Sequence, residues 1–432
     1  MSEQKPRIVV LGGGLGGVIA AYDLDEKMQN SAEITLVSDQ PKFSFTPSNP
    51  WVAVGWREAN AIQIDLDKAL GRKKIGFVAQ EALRVEPAKN QLLLADGSAL
   101  SYDFLVIATG PDLAYDEIEG LGPGGHTVSI CQTHHASAAA EAFEAFCADP
   151  KPIVVGAVQG ASCFGPAYEF AMILDTELRR RKLRDKVPMT FVTPEPYIGH
   201  LGLDGVGDTK SMLESEMRSR HIKWITDARV DRVDEGAITI SKMRPNDEPS
   251  SRQLPFGFAM LLPAFRGIPA LMGIEGLVNP RGFVLVDEHQ RNSAFPNIFA
   301  LGVCIAIPPV GESLVPVGVP KTGFMIESMS AAIAQNVRAI ILGYEPKAKA
   351  SWNAICLADF GDDGVAFAAQ PQIPPRNVNW STQGRWVHFA KIAFEKFFLR
   401  KVRLGKSEPA YERLALKIMG VKKLERSASK PS

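Results

Sequence analysis

The sequence has no long hydrophobic run, no excess of charge of either sign and few cysteines. None of its 432 residues lies in a window of roughly 18 uninterrupted apolar residues, so any membrane attachment is expected to be peripheral. Lys and Arg together number 48, as do Asp and Glu, which argues against a dedicated nucleic-acid-binding protein. The stretch before Ile8 has no long apolar region and no small-residue cleavage site, so no signal peptide is predicted.

The five cysteines are widely and irregularly spaced, at positions 131, 147, 163, 304 and 356. This spacing matches neither a zinc site nor a disulfide framework, and no metal site is predicted. In a chain without an export signal, reactive thiols are favoured over structural disulfides. The length suggests two or three domains, and 46% hydrophobic residues is ordinary globular composition.

A strand, a glycine turn and a helix are predicted at the start of the chain. Residues 8–11 are apolar, and Gly12, Gly14 and Gly17 follow with the G-x-G-x-x-G spacing. These glycines permit a tight turn, close approach to a pyrophosphate and close packing of the helix on the strand. A second predicted strand, residues 34–37, ends where an acidic residue normally binds the ribose. Ser38 occupies that place and Asp39 follows it, so a dinucleotide is predicted with an uncertain ribose contact.

A second turn of this kind begins at residue 153 but does not have the same glycine spacing. Glycines at 156, 160 and 165 do not fit the fingerprint, and Cys163 lies within the turn. The next predicted strand, residues 189–193, ends without an acidic residue at the ribose position. We therefore expect no NAD(P)H site here and predict sulfur chemistry that needs another electron acceptor.

The last hundred residues differ from the rest of the chain. Two helices are predicted after a proline-rich break, at about 384–403 and 409–419, and residues 384–426 contain 12 Lys and Arg against 4 Asp and Glu. An aromatic and basic amphipathic segment suits an anionic membrane surface. The alternative is a core-packing helix with a solvated face.

Several stretches resemble the bacterial sulfide:quinone oxidoreductases, over nearly the whole chain. They are residues 160–169 (GASCFGPAYE), 320–323 (PKTG), 352–356 (WNAIC) and 384–388 (GRWVH). The resemblance implies an α/β fold with two Rossmann-like dinucleotide-binding domains and a C-terminal amphipathic helical membrane-attachment region. The implied divisions are an FAD-binding part at 1–112, a second Rossmann-like domain without an intact NAD site at 113–285, a return to the FAD-binding domain at 286–335, and a quinone and membrane region at 336–432.

The resemblance also implies the activity. The family oxidises sulfide to zero-valent sulfur or polysulfide and passes two electrons through FAD to a membrane quinone. It implies an enzyme peripheral on the inner membrane, on its cytoplasmic face, and a homo-oligomer is possible. Cys163 and Cys356 resemble the cysteine pair beside the flavin, and Cys131 resembles the third cysteine of the family. Glu169, His135 and His200 match positions proposed for proton handling, with structural histidines as the alternative.

The remaining site residues are assigned partly by the turn spacing and partly by the resemblance. Predicted FAD contacts are Gly12, Gly14, Gly17, Ser38, Asp39, Thr109, Gly110, Gly302, Lys321 and Gly323; Val303 stands where the superfamily usually has an acid. A surface position is the alternative for Lys321. Predicted quinone contacts are Phe394, Tyr411, Lys391, Phe45 and Phe360, and simple packing or anchoring is the alternative for the aromatic residues. Cys147 and Cys304 are expected to be packed thiols.

Three other functions remain open at this point. One is a sulfide dehydrogenase with a cytochrome partner, which would be expected to carry an export signal. Another is a type II NADH:quinone reductase, which needs the second nucleotide turn. The third is a membrane-bound sulfur carrier or redox sensor that uses the same cysteines without catalysis.

Overall fold

The computed structural model describes residues 5–408 and 422–425. Its helices within these ranges are α1 (Leu15–Met28), α2 (Asn49–Val52), α3 (Leu66–Gly71), α4 (Thr133–Ala148), α5 (Gly165–Arg180), α6 (Thr209–Ser219), α7 (Gly323–Ile341) and α8 (Trp386–Leu404).

The strands within the same ranges are β1 (Arg7–Leu11), β2 (Glu33–Ser38), β3 (Lys42–Ser44), β4 (Gln63–Asp65), β5 (Gly76–Ala79), β6 (Ala82–Glu86), β7 (Gln91–Leu94), β8 (Ala99–Ser101), β9 (Phe104–Ile107), β10 (Asp112–Leu113), β11 (Ile153–Ala157), β12 (Met189–Val192), β13 (Ile222–Ile225), β14 (Ala228–Asp234), β15 (Ala237–Lys242), β16 (Ser250–Pro255), β17 (Phe258–Leu262), β18 (Phe265–Arg266), β19 (Ile298–Ala300), β20 (Ala354–Asp359), β21 (Gly364–Gln370) and β22 (Val378–Gln383).

The first sheet is parallel, with strand order β19-β9-β1-β2-β5. Its central strand β1 is almost entirely buried, because α1 and α7 pack together on the sheet. The late strand β19 pairs with β9 and so brings residues beyond 300 back to the end of β1. This is the predicted dinucleotide-binding arrangement, and the prediction of an α/β fold with two Rossmann-like units is confirmed.

The second sheet is also parallel, with strand order β13-β12-β11-β17. Strand β11 is fully buried and leads through the turn that carries Cys163 into α5. An antiparallel meander, β14-β15-β16, lies beside it. Strand β10 pairs with β18 in a two-stranded antiparallel ribbon. The domain boundary predicted between residues 112 and 113 therefore falls inside β10.

The C-terminal part consists of the antiparallel sheet β20-β21-β22 and helix α8. Helix α8 extends over nearly the range predicted for the first of the two C-terminal helices. The second predicted helix, at 409–419, lies outside the described residues. None of the helices in the described ranges combines the length and the apolar character that crossing a bilayer requires.

Candidate active site

The glycine turn after β1 has the geometry of a dinucleotide cradle. A Cβ at Gly12 would clash with the Ala108 carbonyl, and Gly12 has a φ of +119°, which favours glycine. A Cβ at Gly17 would clash with the Gly12 carbonyl, so this glycine permits close helix–strand packing. A Cβ at Gly14 would meet nothing within 4 Å, because the turn faces open space there. The three glycines therefore fit the roles that a bound pyrophosphate requires.

The two residues predicted to contact the ribose, at the end of β2, differ in exposure. Ser38 is buried, and its Oγ accepts a hydrogen bond from the Gln40 backbone N–H at 3.1 Å. A Cβ at Gly13 would lie 2.6 Å from the Ser38 Oγ, so Ser38 packs under the turn. Asp39 is exposed, and its carboxylate accepts from Gln40 Nε2 at 3.1 Å. Asp39 is thus the more accessible of the two.

Residues from three distant segments lie on the side of the turn where a flavin is expected. Gly110 follows β9 with a φ of +69°, and Gly302 follows β19 with a φ of +80°. Thr322 precedes α7, which begins at Gly323, and the buried Thr322 Oγ1 has no hydrogen-bond partner within the described chain. A helix N-terminus with a spare hydroxyl suits an electron-rich ring system. The donors and the open backbone positions fit FAD, although the sequence analysis did not identify Thr322 as a site residue.

Three cysteines from separate parts of the chain come together beyond this cradle. Cys131 precedes α4, Cys163 precedes α5, and Cys356 lies in β20. Cys163 interacts electrostatically with Cys131, and Cys356 interacts with Cys163. Burial raises the pKa of both the Cys163 and the Cys356 thiol to about 12. Each thiolate therefore needs a nearby cation if it is to form at neutral pH.

Two lysines supply that positive charge. Lys321 lowers the pKa of Cys163, and Lys391 lowers the pKa of Cys356. Burial in turn lowers the pKa of Lys321 to about 8, although the facing Cys304 and Cys163 act in the opposite direction. The Lys321 Nζ also lies 5.4 Å from the centre of the Phe283 ring. Each of the two central cysteines thus has its own ammonium group.

Cys131 belongs to a small polar cluster that includes the predicted residue His135. The Tyr115 hydroxyl donates to the Ser129 Oγ at 2.6 Å, and the Cys131 backbone N–H donates to the same oxygen at 3.1 Å. The His135 ring centre lies 6.5 Å from that of Tyr115, and the buried His135 Nδ1 has no partner in the described chain. Burial lowers the pKa of His135. Tyr115 and Ser129 were not identified from the sequence, and no spacing signal would have identified them.

Glu169 and Lys391, which the sequence analysis assigned to different tasks, form one buried ion pair. The Lys391 Nζ donates to both Glu169 carboxylate oxygens, at 2.5 and 2.7 Å, and both side chains are less than 10% exposed. Burial raises the pKa of Glu169 to about 7; Lys391 opposes this shift and Asp359 reinforces it. The pair therefore joins α5 to α8 and holds a carboxyl group that titrates near neutrality.

The predicted aromatic quinone contacts are only partly brought together. The Phe45 and Phe394 rings lie 5.8 Å apart, and both contact Phe398, with Phe394 38% exposed. Phe360 is fully buried, with the Arg220 guanidinium 5.8 Å from its ring centre, so it does not line an opening. Tyr411 lies outside the described residues.

Three further side chains named from the sequence have local contacts. The buried His200 accepts from the Gly202 backbone N–H at 3.2 Å through Nδ1, and its ring lies 5.2 Å from that of Tyr197. These contacts tie a loop together and do not involve a cysteine. The Cys304 thiol donates to the Leu301 carbonyl at 3.1 Å and is fully buried. Cys147 is partly buried on α4 beside Arg181.

The second nucleotide turn is covered by another segment of the chain. The Gly160 backbone N–H donates to the Pro316 carbonyl at 2.7 Å, and the Gly318 N–H donates to the Ala161 carbonyl at 2.9 Å. Gly318 approaches Ser162 so closely that a Cβ would lie 2.5 Å from the serine Cβ. Backbone groups that would face a second pyrophosphate are therefore already engaged. An acidic residue, Glu195, does follow the end of β12. Its carboxylate is buried, however, and accepts hydrogen bonds from Tyr168, Thr193 and Leu201.

Comparisons with known proteins agree with this geometry. The family model described as pyridine nucleotide-disulphide oxidoreductase matches residues 6–335. The sulfide-quinone reductase of Aquifex aeolicus (strain VF5) is 40% identical over 414 residues, which cover 95% of this chain and 94% of that protein. The X-ray structure of the Aquifex aeolicus sulfide:quinone oxidoreductase superposes with a TM-score of 0.94 at 39% identity over 98% of both chains. NDH2 from Plasmodium falciparum shares the fold alone, with a TM-score of 0.70 at 15% identity over 98% of this chain and 100% of that one.

Proposed function

The chain belongs to the sulfide:quinone oxidoreductase family of the pyridine nucleotide-disulphide oxidoreductases, and from this premise we propose that it oxidises sulfide and reduces a membrane quinone. The observation that carries the proposal is the packing of β20, which contains Cys356, against α5, which Cys163 precedes; the charges of Cys131 and Cys163 also influence the pKa of Cys163 and Cys356, respectively. Lysines accompany the two central thiols, as a site that handles anionic sulfur requires.

The sulfur steps follow from the chemistry of a cysteine pair. Hydrosulfide attacks a Cys163–Cys356 disulfide, an S–S bond breaks, and one cysteine becomes a persulfide while the other leaves as a thiolate. Loss of two electrons and the remaining thiol proton closes a bridge of three sulfur atoms between the two cysteines. Each further hydrosulfide repeats the attack and the two-electron closure, which lengthens the bridge. Attack of one hydrosulfide on each cysteine sulfur then breaks its bond to the bridge, leaves that cysteine as a persulfide and releases the sulfur between the cysteines as polysulfide. FAD, when bound, supplies the two-electron acceptor between sulfur and quinone.

The side chains around the cysteines have matching tasks. Lys321 and Lys391 stabilise the thiolates that burial disfavours. Glu169, whose pKa is raised to about 7, can accept or release a proton at physiological pH. Thr109, Gly110, Gly302 and Gly323 would hold the flavin ring, and the glycine turn after β1 would hold the pyrophosphate.

The distribution of side chains on helix α8 supports attachment to a lipid surface, because charged side chains are buried and aromatic side chains are exposed. Lys391, Glu395 and Lys401 are buried, each in an ion pair with another part of the chain. Trp386 and Phe389 on the same helix are 48% and 65% exposed. Charged groups inside and aromatic groups outside suit an interface with acyl chains. A quinone drawn from the lipid would meet Phe394 and Phe45 first and then Lys391.

The activity can be tested with three single cysteine variants of the FAD-loaded enzyme. Wild-type enzyme is expected to reduce a soluble quinone analogue when sulfide is added and to show no reaction with NADH. Cys163→Ala and Cys356→Ala should lose sulfide-dependent reduction by roughly 100-fold or more, as expected when a covalent nucleophile is removed. Cys147→Ala is the matched control, because Cys147 is also a partly buried thiol but lies beside Arg181 on α4. Full activity in both active-site variants, or flavin reduction by NADH and not by sulfide, would refute the proposal.

A further inference from the structure

A second buried acid lies next to the Glu169–Lys391 pair and is not used in the chemistry above. Asp359 ends β20 and is fully buried. Its carboxylate accepts from the Trp51 indole N–H at 2.8 Å and from the Gly361 backbone N–H at 3.0 Å. The His388 Nδ1 lies 2.8 Å from the Asp359 Oδ1. Asp359 therefore links a histidine of α8 to the interior.

The same acid adjoins Glu169 on its inner side. The Asp359 backbone N–H faces the Glu169 carboxylate, and the Asp359 charge is one of the groups that raise the pKa of Glu169. His388 and Lys391 are three residues apart on α8, a spacing that places two side chains on the same helix face. The groups therefore form a series of contacts that runs from His388 through Asp359 and Glu169 to Lys391.

Exposure is highest at the His388 end of this series of contacts. The His388 side chain is 24% exposed, whereas the Asp359 side chain is not exposed at all. Glu169 and Lys391 are 7% and 6% exposed. Of the four groups, the histidine is thus the one with substantial access to solvent. Histidine is also the side chain whose ordinary titration range lies closest to neutrality.

The overall reaction requires such access. Oxidation of hydrosulfide to zero-valent sulfur releases two electrons and one proton, whereas reduction of a quinone to a quinol consumes two electrons and two protons. One proton per turnover must therefore reach the quinone from the solvent. The lipid-facing aromatic side of α8 offers no titratable group for this transfer at Trp386, Phe389 or Phe394.

We propose that His388 and Asp359 form the solvent end of a proton path that continues through Glu169 and Lys391 to the quinone. His388 exchanges protons with water, and Asp359 orients the imidazole and passes the proton to the inner pair. Both are positioning residues, since they act through Glu169 and Lys391. This inference rests on the proposed sulfide:quinone activity. The charged and titratable groups that face Glu169 are Lys391 from α8 and Asp359 from β20, and Asp359 also faces His388.

The test separates the two half-reactions of the FAD-loaded enzyme by stopped-flow absorbance. Sulfide first reduces the flavin without quinone, and a soluble quinone analogue then reoxidises it. His388→Gln retains a donor for Asp359 and should slow reoxidation at least about 10-fold, the lower range for loss of a proton-transfer group. Reduction by sulfide should stay within about twofold of wild type, and added imidazole should restore reoxidation. The control is His289→Gln, because His289 contacts the Ala348 carbonyl outside α8.

A second measurement does not depend on turnover. The His388 Nδ1 resonance is recorded by NMR in wild type and in Asp359→Asn. Removal of the charged carboxylate should change the chemical shift of this nitrogen, because it lies 2.8 Å from the Asp359 Oδ1. The proposal is overturned if reoxidation is unchanged in His388→Gln, if both half-reactions slow equally and imidazole restores neither, or if the His388 Nδ1 resonance is the same in wild type and Asp359→Asn. Failure of the wild-type flavin to be reoxidised by quinone would instead refute the proposed function.

Discussion

Replacement of Lys391 by methionine tests whether the buried ion pair controls the charge of Glu169. Methionine has a similar length but no charge, so Glu169 would remain buried without its ammonium partner. Loss of one member of a buried pair costs about 3 to 5 kcal/mol, which corresponds to about two to four pKa units. Burial raises the pKa of Glu169 to about 7 even though Lys391 lowers it. Without Lys391 the carboxyl should therefore stay neutral well above pH 7.

The pH dependence of stability follows from the same shift. The pKa of Glu169 in the folded protein lies above its ordinary value of 4.5. Between about pH 4.5 and 7 the folded protein therefore holds a proton that the unfolded chain has lost. The contribution of Glu169 to the free energy of unfolding of the wild type is therefore full at low pH. It falls by about 3 kcal/mol as the pH rises from about 4.5 to 7, and it does not change further above pH 7. In Lys391→Met the decline should continue above pH 7 at about 1.4 kcal/mol per pH unit.

The direct assay is an infrared titration of the protonated carboxyl band, assigned to Glu169 by its loss in Glu169→Gln. The midpoint should move upward by at least about two pH units in Lys391→Met. Lys396→Met is the control, because Lys396 is an exposed lysine on the same helix. An unchanged or lowered midpoint in Lys391→Met would refute the claim that Lys391 holds down the pKa of Glu169.

Two further predictions concern cofactor and lipid. Gly17→Ala should abolish FAD binding, measured as flavin absorbance per polypeptide, because the new Cβ clashes with the Gly12 carbonyl; Gly71→Ala, where a Cβ meets nothing within 4 Å, should retain flavin. Trp386→Ser with Phe389→Ser should weaken sedimentation with phosphatidylglycerol vesicles at least about 10-fold, since each exposed aromatic ring contributes roughly 1.5 to 3 kcal/mol when it leaves water. Leu285→Ser, which removes a 42% exposed apolar side chain elsewhere, should bind as wild type does, and equal binding by all three proteins would contradict an α8 docking surface.

The first glycine turn could be predicted from the sequence because its information is local. Gly12, Gly14 and Gly17 are close in the chain, and each has one steric task that the residue type itself reveals. The approach of Cys163 to Cys356 is different, since β20 and α5 pack together only through the tertiary fold. No spacing rule indicates that approach, and only the resemblance of the surrounding residues did so.

Helix α8 shows where pattern reading gives the wrong environment for individual residues. Its bounds were predicted closely, but its lysines suggested a charged outer face. The structure buries Lys391 and Lys401, because Glu169 and Glu327 approach from α5 and α7. Glu169 and Lys391 were therefore assigned separately to proton handling and to quinone. Their pairing depends on two helices whose approach cannot be inferred from either sequence segment alone.

The second glycine turn and the chain around Cys163 and Lys321 share one set of backbone contacts. In a nucleotide-binding unit the turn N–H groups remain directed at the pyrophosphate. Here the Gly160 N–H donates to the Pro316 carbonyl, and the Gly318 N–H donates to the Ala161 carbonyl, so this segment lies against the turn. The same backbone contacts fix the chain just before Cys163 against the chain just before Lys321. We therefore expect the covered turn to bind no pyridine nucleotide, and the same contacts hold the segment before Lys321, whose ammonium group lowers the pKa of Cys163.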